Sequence, residues 1–365
     1  EYTHRWGSKS YYGKIGLDQL SAQTSTELVQ AILEGGEIAP EIAGLVHGRA
    51  GGNPLFVEEL THSLVENGFI QRKDNQFVLA RKPSDIEVPD TIQGIIAARM
   101  DRVEENLKRI MQVASVIGRE FAYRILATIT GMKEELKASL LNLQGLEFIY
   151  EKQLFPELEY IFKHALTQEV AYNSLLVKRR KEIHERIGNA IEELYSERLE
   201  ENYELLAYHF LRSENRDKTV EYLRLAHRKA AKATAAQEAK VYFDECMKLL
   251  DQMPDTKVNR EQRIRTLVDS HIVFALLLRT PEYYEFLTRY EPLVAEVDSP
   301  HLAGSFYASL GYCDWTFGYY DSAIENSKRG VELSELAGDA EASRNAFNAL
   351  QLSYTFRGDL EQAVA

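Results

Sequence analysis

The stretch GRAGGNPLFVEEL, residues 48–60, places a glycine-rich turn directly before a predicted helix, an arrangement that can surround a phosphate group. A P-loop requires G-x-x-x-x-G-K-[ST], because the Lys reaches the β and γ oxygens and the hydroxyl holds Mg²⁺. Here Gly52 is followed by Asn53 and Pro54, so the Lys and the hydroxyl are missing and Pro54 removes one N–H donor. The turn is therefore not a P-loop, and its residue types suit the end of one helix and the capped start of another.

Other motifs with catalytic or metal-binding chemistry are missing from the sequence. In WGSKS, residues 6–10, Gly7 and Lys9 are separated by Ser8, and no upstream glycine stands at the P-loop distance. The chain has no G-x-S-x-G, H-E-x-x-H or C-x-x-C, and its histidines include no pair at i, i+3 or i, i+4. We therefore predict no catalytic residue and no metal site in this chain.

His164 is the second residue whose position could serve chemistry. In YIFKHALTQEVAY, residues 160–172, it ends a run of alternating apolar residues and directly precedes a predicted helix. At such a corner an imidazole can reach a phosphate in a neighbouring cleft, or it can cap or pack against the helix. The residues alone favour the second interpretation.

Composition limits the partners. The net charge of −13 over 365 residues argues against nonspecific binding to nucleic acid or to an anionic membrane, which require a basic surface. The basic run KRRKEIHER, residues 178–186, could contact DNA phosphates, but with this net charge a solvated helix start is favoured. The paired carboxylates Glu58-Glu59 and Glu134-Glu135 are likewise expected on solvated helix faces.

The cysteines and the apolar runs indicate a reducing, cytoplasmic location. Cys246 and Cys313 lie in apolar helical patterns and are expected to be buried free thiols. No apolar run reaches the ~18 residues that span a bilayer, and there is no secretory leader. Because the chain starts at Glu1 and stops within an amphipathic pattern at Ala365, we interpret it as a fragment.

The elements that must position these residues are mostly helices. Thr24 and Glu27 form a predicted capping box, and Asn53 with Pro54 predicts another helix start. Residues 68–80 read as a β-hairpin. Further helices are expected at 90–103, 106–117, 121–130 and 133–144, followed by two strands joined across Pro156 and a helix from about Ala165. This last order of elements is typical of a winged helix.

From about Lys178 onward the pattern is helical and repeats. Gly318 and Gly358 stand 40 residues apart in similar contexts, which is close to the period of helical-hairpin repeats. Small residues are expected where two helices of a hairpin approach closely. The predicted fold class is mainly α, with a helical lid and a winged-helix domain followed by a tetratricopeptide-type α-solenoid.

Four stretches in this order resemble one family closely: GGNPLFVEEL, VPDTIQGIIAARMDRV, ASVIGREF and FKHALTQEVAYNSLL. The chain is similar to the region after the nucleotide-binding core in STAND-type signalling ATPases (signal-transduction ATPases with numerous domains). The bacterial branch that carries class III adenylate/guanylate cyclase domains and tetratricopeptide repeats matches best. The resemblance is specific over about residues 6–190 and weaker through the repeats.

The resemblance implies roles for four residues. Gly52-Asn53-Pro54 matches the G-x-P motif of the family's helical lid, whose proline packs near the adenine of bound nucleotide. His164 falls where a winged-helix histidine contacts the β-phosphate of ADP in the closed, inactive state. The acidic residue that often follows this histidine is Ala165 here. The implied domains are the tail of the NTPase core (1–20), the lid with a small hairpin (21–83), the winged helix (84–180) and the repeats (181–365).

The implied function is the regulatory and sensor portion of a nucleotide-switched ATPase that controls an attached cyclase. ATP or ADP would bind only together with an upstream core, and the repeats would bind a protein partner or a small ligand. The chain's own upstream NTPase and effector domains are its other expected partners, whereas membrane and nucleic acid are not. Two alternatives stay open: a MalT-like transcriptional activator with a DNA-binding output domain, and a pure repeat scaffold. Flanking sequence with a cyclase, a helix-turn-helix or a Walker A motif would separate them.

Overall fold

The computed structural model describes residues 16–132 and 134–364, which form two compact units, one up to Leu176 and one from Val177 onward. The described chain is mainly α-helical, as the sequence predicts. Residues 1–15, which contain WGSKS and most of the predicted core tail, lie outside the described residues. Within the described chain, no helix combines the length and apolarity needed to cross a membrane.

The first unit opens with three helices and a small sheet. Its elements are α1 (Ala22–Ile32), β1 (Glu37–Ile38), α2 (Pro40–Ala50), α3 (Pro54–Glu66), β2 (Ile70–Lys73) and β3 (Gln76–Leu79). Strand β3 lies in the middle, antiparallel to β2 and parallel to β1. The hairpin predicted within residues 68–80 is confirmed, whereas the two-residue β1 is not evident from the sequence.

The start of α1 corrects one prediction. Ser21, rather than Thr24, is the N-cap, and its side chain accepts a hydrogen bond from the backbone N–H of Thr24 (3.1 Å). Helix α1 therefore begins one turn earlier than the predicted capping box. Phe56, Leu60 and Leu64, which the sequence spaces at i, i+4 and i+8, form the face of α3 that is buried in the core of this unit.

The rest of the first unit alternates helices with a second sheet. Its elements are α4 (Ile92–Arg102), α5 (Glu105–Ile117), β4 (Glu120–Ala122), α6 (Tyr123–Thr130), α7 (Glu134–Gly145), β5 (Ile149–Gln153), β6 (Glu159–Phe162) and α8 (Ala165–Asn173). The strands lie in the order β4-β6-β5 and are antiparallel. Residues 120–122 pair with β6, so the helix predicted at 121–130 begins only at Tyr123.

The second unit is helical. Its elements are α9 (Val177–Leu194), α10 (Tyr203–Leu211), α11 (Arg216–Lys232), α12 (Ala236–Gln252), α13 (Lys257–Asp269), α14 (His271–Leu276), α15 (Thr280–Val294), α16 (Pro300–Thr316), α17 (Tyr320–Ala337), α18 (Ala340–Arg357) and α19 (Leu360–Val364), with a 3₁₀ segment at Ser196–Asn202. Helices α16 and α18 begin 40 residues apart, as do α17 and α19. The repeat predicted from Gly318 and Gly358 is therefore present, and both glycines have positive φ (79° and 97°).

Small residues lie where α16 and α17 cross. A Cβ on Gly311 would overlap the hydroxyl of Ser327, and one on Gly330 would lie 2.9 Å from the backbone nitrogen of Ala308. Only glycine allows this distance between the two backbones, as predicted for a helical hairpin. Cys246 and Cys313 are buried free thiols, also as predicted.

Candidate functional site

The GGNP turn joins two helices. Gly51 ends α2 in the left-handed conformation (φ 57°), and Gly52 follows with φ 76°. The side chain of Asn53 then caps α3 by accepting a hydrogen bond from the N–H of Phe56 (3.1 Å), and Pro54 occupies the first helical position. The turn is a helix end followed by a capped helix start, as its residue types predict.

Gly52 also contacts the segment that precedes α1. The N–H of Leu20 donates a hydrogen bond to the carbonyl of Gly52 (2.8 Å). A Cβ on Gly52 would overlap the carbonyl oxygen of Leu20 and lie 3.0 Å from its nitrogen. Glycine is thus required here for two reasons, the positive φ and the close approach of a second backbone.

Helix α3, which Pro54 begins, carries the carboxylates Glu58 and Glu59. The expectation that both lie on a solvated face is wrong, because Glu59 is 3% exposed and pairs with Arg99 of α4 (Nη1 to Oε2, 2.5 Å). Glu58 is partly buried and points to a different set of partners. Glu134 and Glu135, by contrast, are exposed.

Arg99 joins three elements of the first unit. Its guanidinium also contacts Glu66 of α3 (Nη2 to Oε1, 2.7 Å), donates to the carbonyl of Leu146 (3.2 Å), and lies over the ring of Phe148 (4.9 Å). Burial opposes its charge, but the hydrogen bonds and negative charges of Glu66 and Glu59 raise the pKa of Arg99. Arg99 therefore stays charged and fixes α4 against α3 and the start of β5.

His164 lies at the corner between β6 and α8. It is the N-cap residue of α8, but its side chain makes no capping hydrogen bond, so the predicted capping role is not what positions it. Its Nε2 lies 3.4 Å from Oε2 of Glu58 on α3. The neighbouring Lys163 contacts the other oxygen of the same carboxylate, and it also contacts Glu147. Glu58, at the start of the second turn of α3, thus connects this helix to the corner that holds His164.

The electrostatics of this cluster follow from its burial and pairing. Burial opposes the charge of Lys163, but its hydrogen bonds to Glu147 and Glu58 raise its pKa. The hydrogen bond from Lys163 lowers the pKa of Glu147. Burial lowers the pKa of His62, whose Nε2 lies 3.5 Å from Glu147. At neutral pH Glu147 is therefore a carboxylate, Lys163 an ammonium group and His62 a neutral imidazole.

Three of these side chains are candidate metal ligands that the sequence reasoning missed. Ligand atoms of Glu58, His62 and Glu147 lie within 4.8 Å of one another. The sequence does indicate two of these ligands, because Glu58 and His62 stand at i, i+4 on α3 and so share one face of the helix. A histidine pair at this spacing, by contrast, is missing from the sequence. The ammonium group of Lys163 already contacts both carboxylates, so a metal ion would have to displace it.

The basic run at residues 178–186 lies at the start of α9 in the second unit. Lys178 and Arg179 are exposed, as a solvated helix start requires. His184, in the same run, is instead buried, and its Nδ1 lies 2.9 Å from Nδ1 of His209 on α10. One ring of this pair must donate and the other accept, so the accepting ring is neutral. Burial lowers the pKa of His184 to about 4 and of His209 to about 3, so both imidazoles are neutral at pH 7.

Comparisons with known proteins place these features in context. A family model described as a domain of unknown function (DUF8739) matches residues 21–77, which include Gly52, Asn53 and Pro54. The curated "Uncharacterized protein R02095" of Rhizobium meliloti (strain 1021) is 21% identical over 261 residues, covering 70% of this chain and 25% of that protein. The chain therefore spans about a quarter of the length of this curated relative.

Two solved structures show distant similarity. BtubC (BKLC) from P. vanneervenii has a TM-score of 0.39 at 14% identity, over 52% of this chain and 77% of that chain. A STAND protein with a tetratricopeptide repeat sensor, PH0952 from Pyrococcus horikoshii, has a TM-score of 0.35 at 11% identity, over 96% of this chain and 59% of that chain. Similarities at these TM-scores do not identify a family.

Proposed function

We propose that this chain is the regulatory region that follows the nucleotide-binding core of a STAND-type signalling ATPase. The elements α1 to β3 serve as its helical lid, α4 to α8 with their sheet as its winged helix, and the helical hairpins of the second unit as its sensor. An attached adenylate or guanylate cyclase is the proposed output. The repeats bind a protein partner or a small ligand, and the protein acts in the cytoplasm.

One observation carries the proposal. The two sites that the sequence singles out, the GGNP turn and His164, lie on elements that Glu58 connects directly, since α3 begins at Pro54 and its Glu58 lies 3.4 Å from His164. A nucleotide that contacts both sites would therefore hold the lid and the winged helix in one arrangement. The contact between Gly52 and Leu20 ties the same turn to the segment that leads in from the proposed core.

The residues at the corner fit a phosphate group. The Nε2 atom of His164 is buried, and its 3.4 Å contact with Oε2 of Glu58 is not a hydrogen bond. Among the described residues Nε2 therefore makes no hydrogen bond and can still make one. In the proposed closed form His164 contacts the β-phosphate of ADP and Pro54 packs near the adenine. Bound nucleotide favours the closed form over the open form. It can do so only to the extent that it binds the closed form more tightly.

The test uses the longer protein that carries both this chain and its nucleotide-binding core. We expect Pro54→Ala and His164→Ala to reduce the ADP retained after gel filtration, measured by denaturing the protein and quantifying the released nucleotide. Pro40→Ala, which alters the first position of α2, and His301→Ala, which removes an exposed imidazole of the second unit, are matched controls. Unchanged ADP retention in both test variants would refute the assignment of these residues.

A further inference from the structure

The corner between β6 and α8 holds an anion that belongs to the protein itself. Lys163 and His164 are consecutive, and each contacts a different oxygen of the Glu58 carboxylate. Both side chains are largely buried, with 15% and 26% of their surface exposed. Glu58 therefore occupies the place where an external anion would bind, because Lys163 and His164 contact both oxygens of its carboxylate.

The surroundings of this corner also suit an anion. The ammonium group of Lys163 lies 5.8 Å from the centre of the Tyr150 ring. Helix α8 starts at the corner with no acidic residue in its first turn and no side-chain cap, so its N-terminal N–H groups are not bonded by its own N-cap side chain. Within the described residues the buried Nε2 of His164 makes no hydrogen bond. The ammonium group of Lys163 and the N-terminus of α8 both favour negative charge at this corner, and Nε2 is available for one further hydrogen bond.

The carboxylates of Glu58 and Glu147 determine whether an external anion can bind at Lys163 and His164. Glu58 from α3 and Glu147 from the loop before β5 both contact Lys163, so two negative charges surround a single ammonium group. A phosphate that contacts Lys163 or His164 would meet the same atoms that Glu58 uses, at a distance where like charges repel strongly. Phosphate and the Glu58 carboxylate therefore cannot occupy the corner together.

We propose that Glu58 is a built-in competitor that takes the place of a nucleotide phosphate at Lys163 and His164. This inference rests on the proposed function, in which His164 contacts a phosphate. When an anion enters, Glu58 must leave, so the direct contact of α3 with the corner is replaced by contacts through the bound nucleotide, while Glu59 still holds α3 to α4. When the anion departs, Glu58 returns and α3 is again held against the corner. The competitor thus sets how tightly phosphate is held and couples its occupancy to the position of α3.

The test measures anion binding by this chain directly. Histidines labelled with ¹³C at Cε1 are observed by NMR while pyrophosphate, and separately ADP, is added at low ionic strength, and the His164 resonance is identified with a His164→Gln variant. Glu58→Gln keeps the shape of the side chain and removes its charge. Glu105→Gln is the matched control, because Glu105 is an exposed carboxylate in the same unit.

We expect Glu58→Gln to bind pyrophosphate at His164 at least tenfold more tightly than the unmodified chain, and Glu105→Gln to stay within twofold of it. Adding Lys163→Met to Glu58→Gln should abolish the gain. If Glu58→Gln perturbs folding, Glu58→Asp serves instead, because it keeps the charge but shortens the side chain by one methylene. Glu58→Asp should also bind pyrophosphate more tightly than the unmodified chain does.

Equal or weaker pyrophosphate binding by both Glu58 variants would overturn the inference, because Glu58 would then orient His164 rather than compete for it. A failure of the proposed function would look different. In that case the two Glu58 variants would gain affinity for pyrophosphate, while ADP retention by the longer protein would be unchanged in His164→Ala.

Discussion

Replacing Arg99 by Met would test whether the ion cluster that joins α3 and α4 stabilises the first unit. Arg99 and Glu59 are each 3% exposed, and their side chains are 2.5 Å apart. Methionine keeps much of the length and apolar surface of Arg99 but leaves Glu59 buried without a cation and the carbonyl of Leu146 without its donor. Removing one member of a buried ion pair typically costs about 3–5 kcal/mol, because the remaining charge is desolvated and uncompensated.

The structure also predicts how that loss can be recovered. In the double variant Glu59→Leu with Arg99→Met no buried charge remains, since Glu66 is partly exposed and can be hydrated. Replacing a whole buried pair by apolar residues is often close to neutral. The two substitutions should therefore be strongly non-additive. Arg102→Met on the same helix alters an exposed side chain and should change stability by no more than about 0.5 kcal/mol.

Hydrogen exchange followed by mass spectrometry is the appropriate assay, because it reports on the two units separately. Peptides from α3 and α4 should exchange at least ~100-fold faster in Arg99→Met, since about 1.4 kcal/mol corresponds to a factor of ten. Peptides from α16 and α17 should be unchanged and serve as the internal reference. The reasoning would be refuted if Arg99→Met exchanged within twofold of the unmodified chain, or if the double variant were no more protected than Arg99→Met.

Three further predictions follow from the same structure. Gly52→Ala should destabilise α1 and α3 by about 1–3 kcal/mol more than Gly51→Ala, because both glycines have positive φ but only Gly52 faces a second backbone. Equal rates of hydrogen exchange in α1 for the two variants would contradict this. The folded second unit should lose stability as pH falls below about 6.5, since burial, together with nearby arginines and the other ring, lowers the pKa of His184 to about 4 and of His209 to about 3, so the unfolded chain binds protons first. The loss should be about 3 kcal/mol for each histidine by pH 4, and so about 6 kcal/mol for the two together. It is measured by urea unfolding followed through Trp315 fluorescence, and the double variant His184→Gln with His209→Gln should flatten the pH dependence whereas His301→Gln should not. The 365-residue chain alone should hydrolyse ATP negligibly, because it lacks a complete P-loop, and robust phosphate release by the purified chain would contradict this.

The helix and strand limits that the sequence predicted correctly are those set by local chemistry. Asn53 and Pro54 start α3 because a side-chain acceptor and a fixed φ are needed there, and Gly131 ends α6 because its φ is 73°. The predictions that failed depend on distant partners. Strand β4 exists because residues 120–122 pair with β6, and its apolar residues otherwise continue a helical pattern.

The sequence predicts some residues of the candidate site but not the contacts between them, for the same reason. Gly52, Asn53, Pro54 and His164 could be selected from their local context and from the family resemblance, but the contact between Glu58 of α3 and His164 could not. Glu58 and Glu59 look alike in the sequence, and only the positions of Arg99, 40 residues later, and of Lys163 assign one to a buried pair and the other to the corner. The sequence shows where a charged side chain stands. Whether that side chain is buried depends on a partner distant in the sequence, such as Arg99 for Glu59.

Helix α3 is the element through which these observations combine. The turn that precedes it contacts Leu20 through Gly52, its second turn presents Glu58 to Lys163 and His164, and Glu59 holds it to α4. The buried contact with Arg99 is difficult to break, whereas the partly exposed contact at Glu58 involves an ammonium group shared with Glu147. Any anion that enters the corner therefore acts first on Glu58. On the proposal above, α3 then changes its attachment to the β6–α8 corner while it remains anchored to α4 through Glu59.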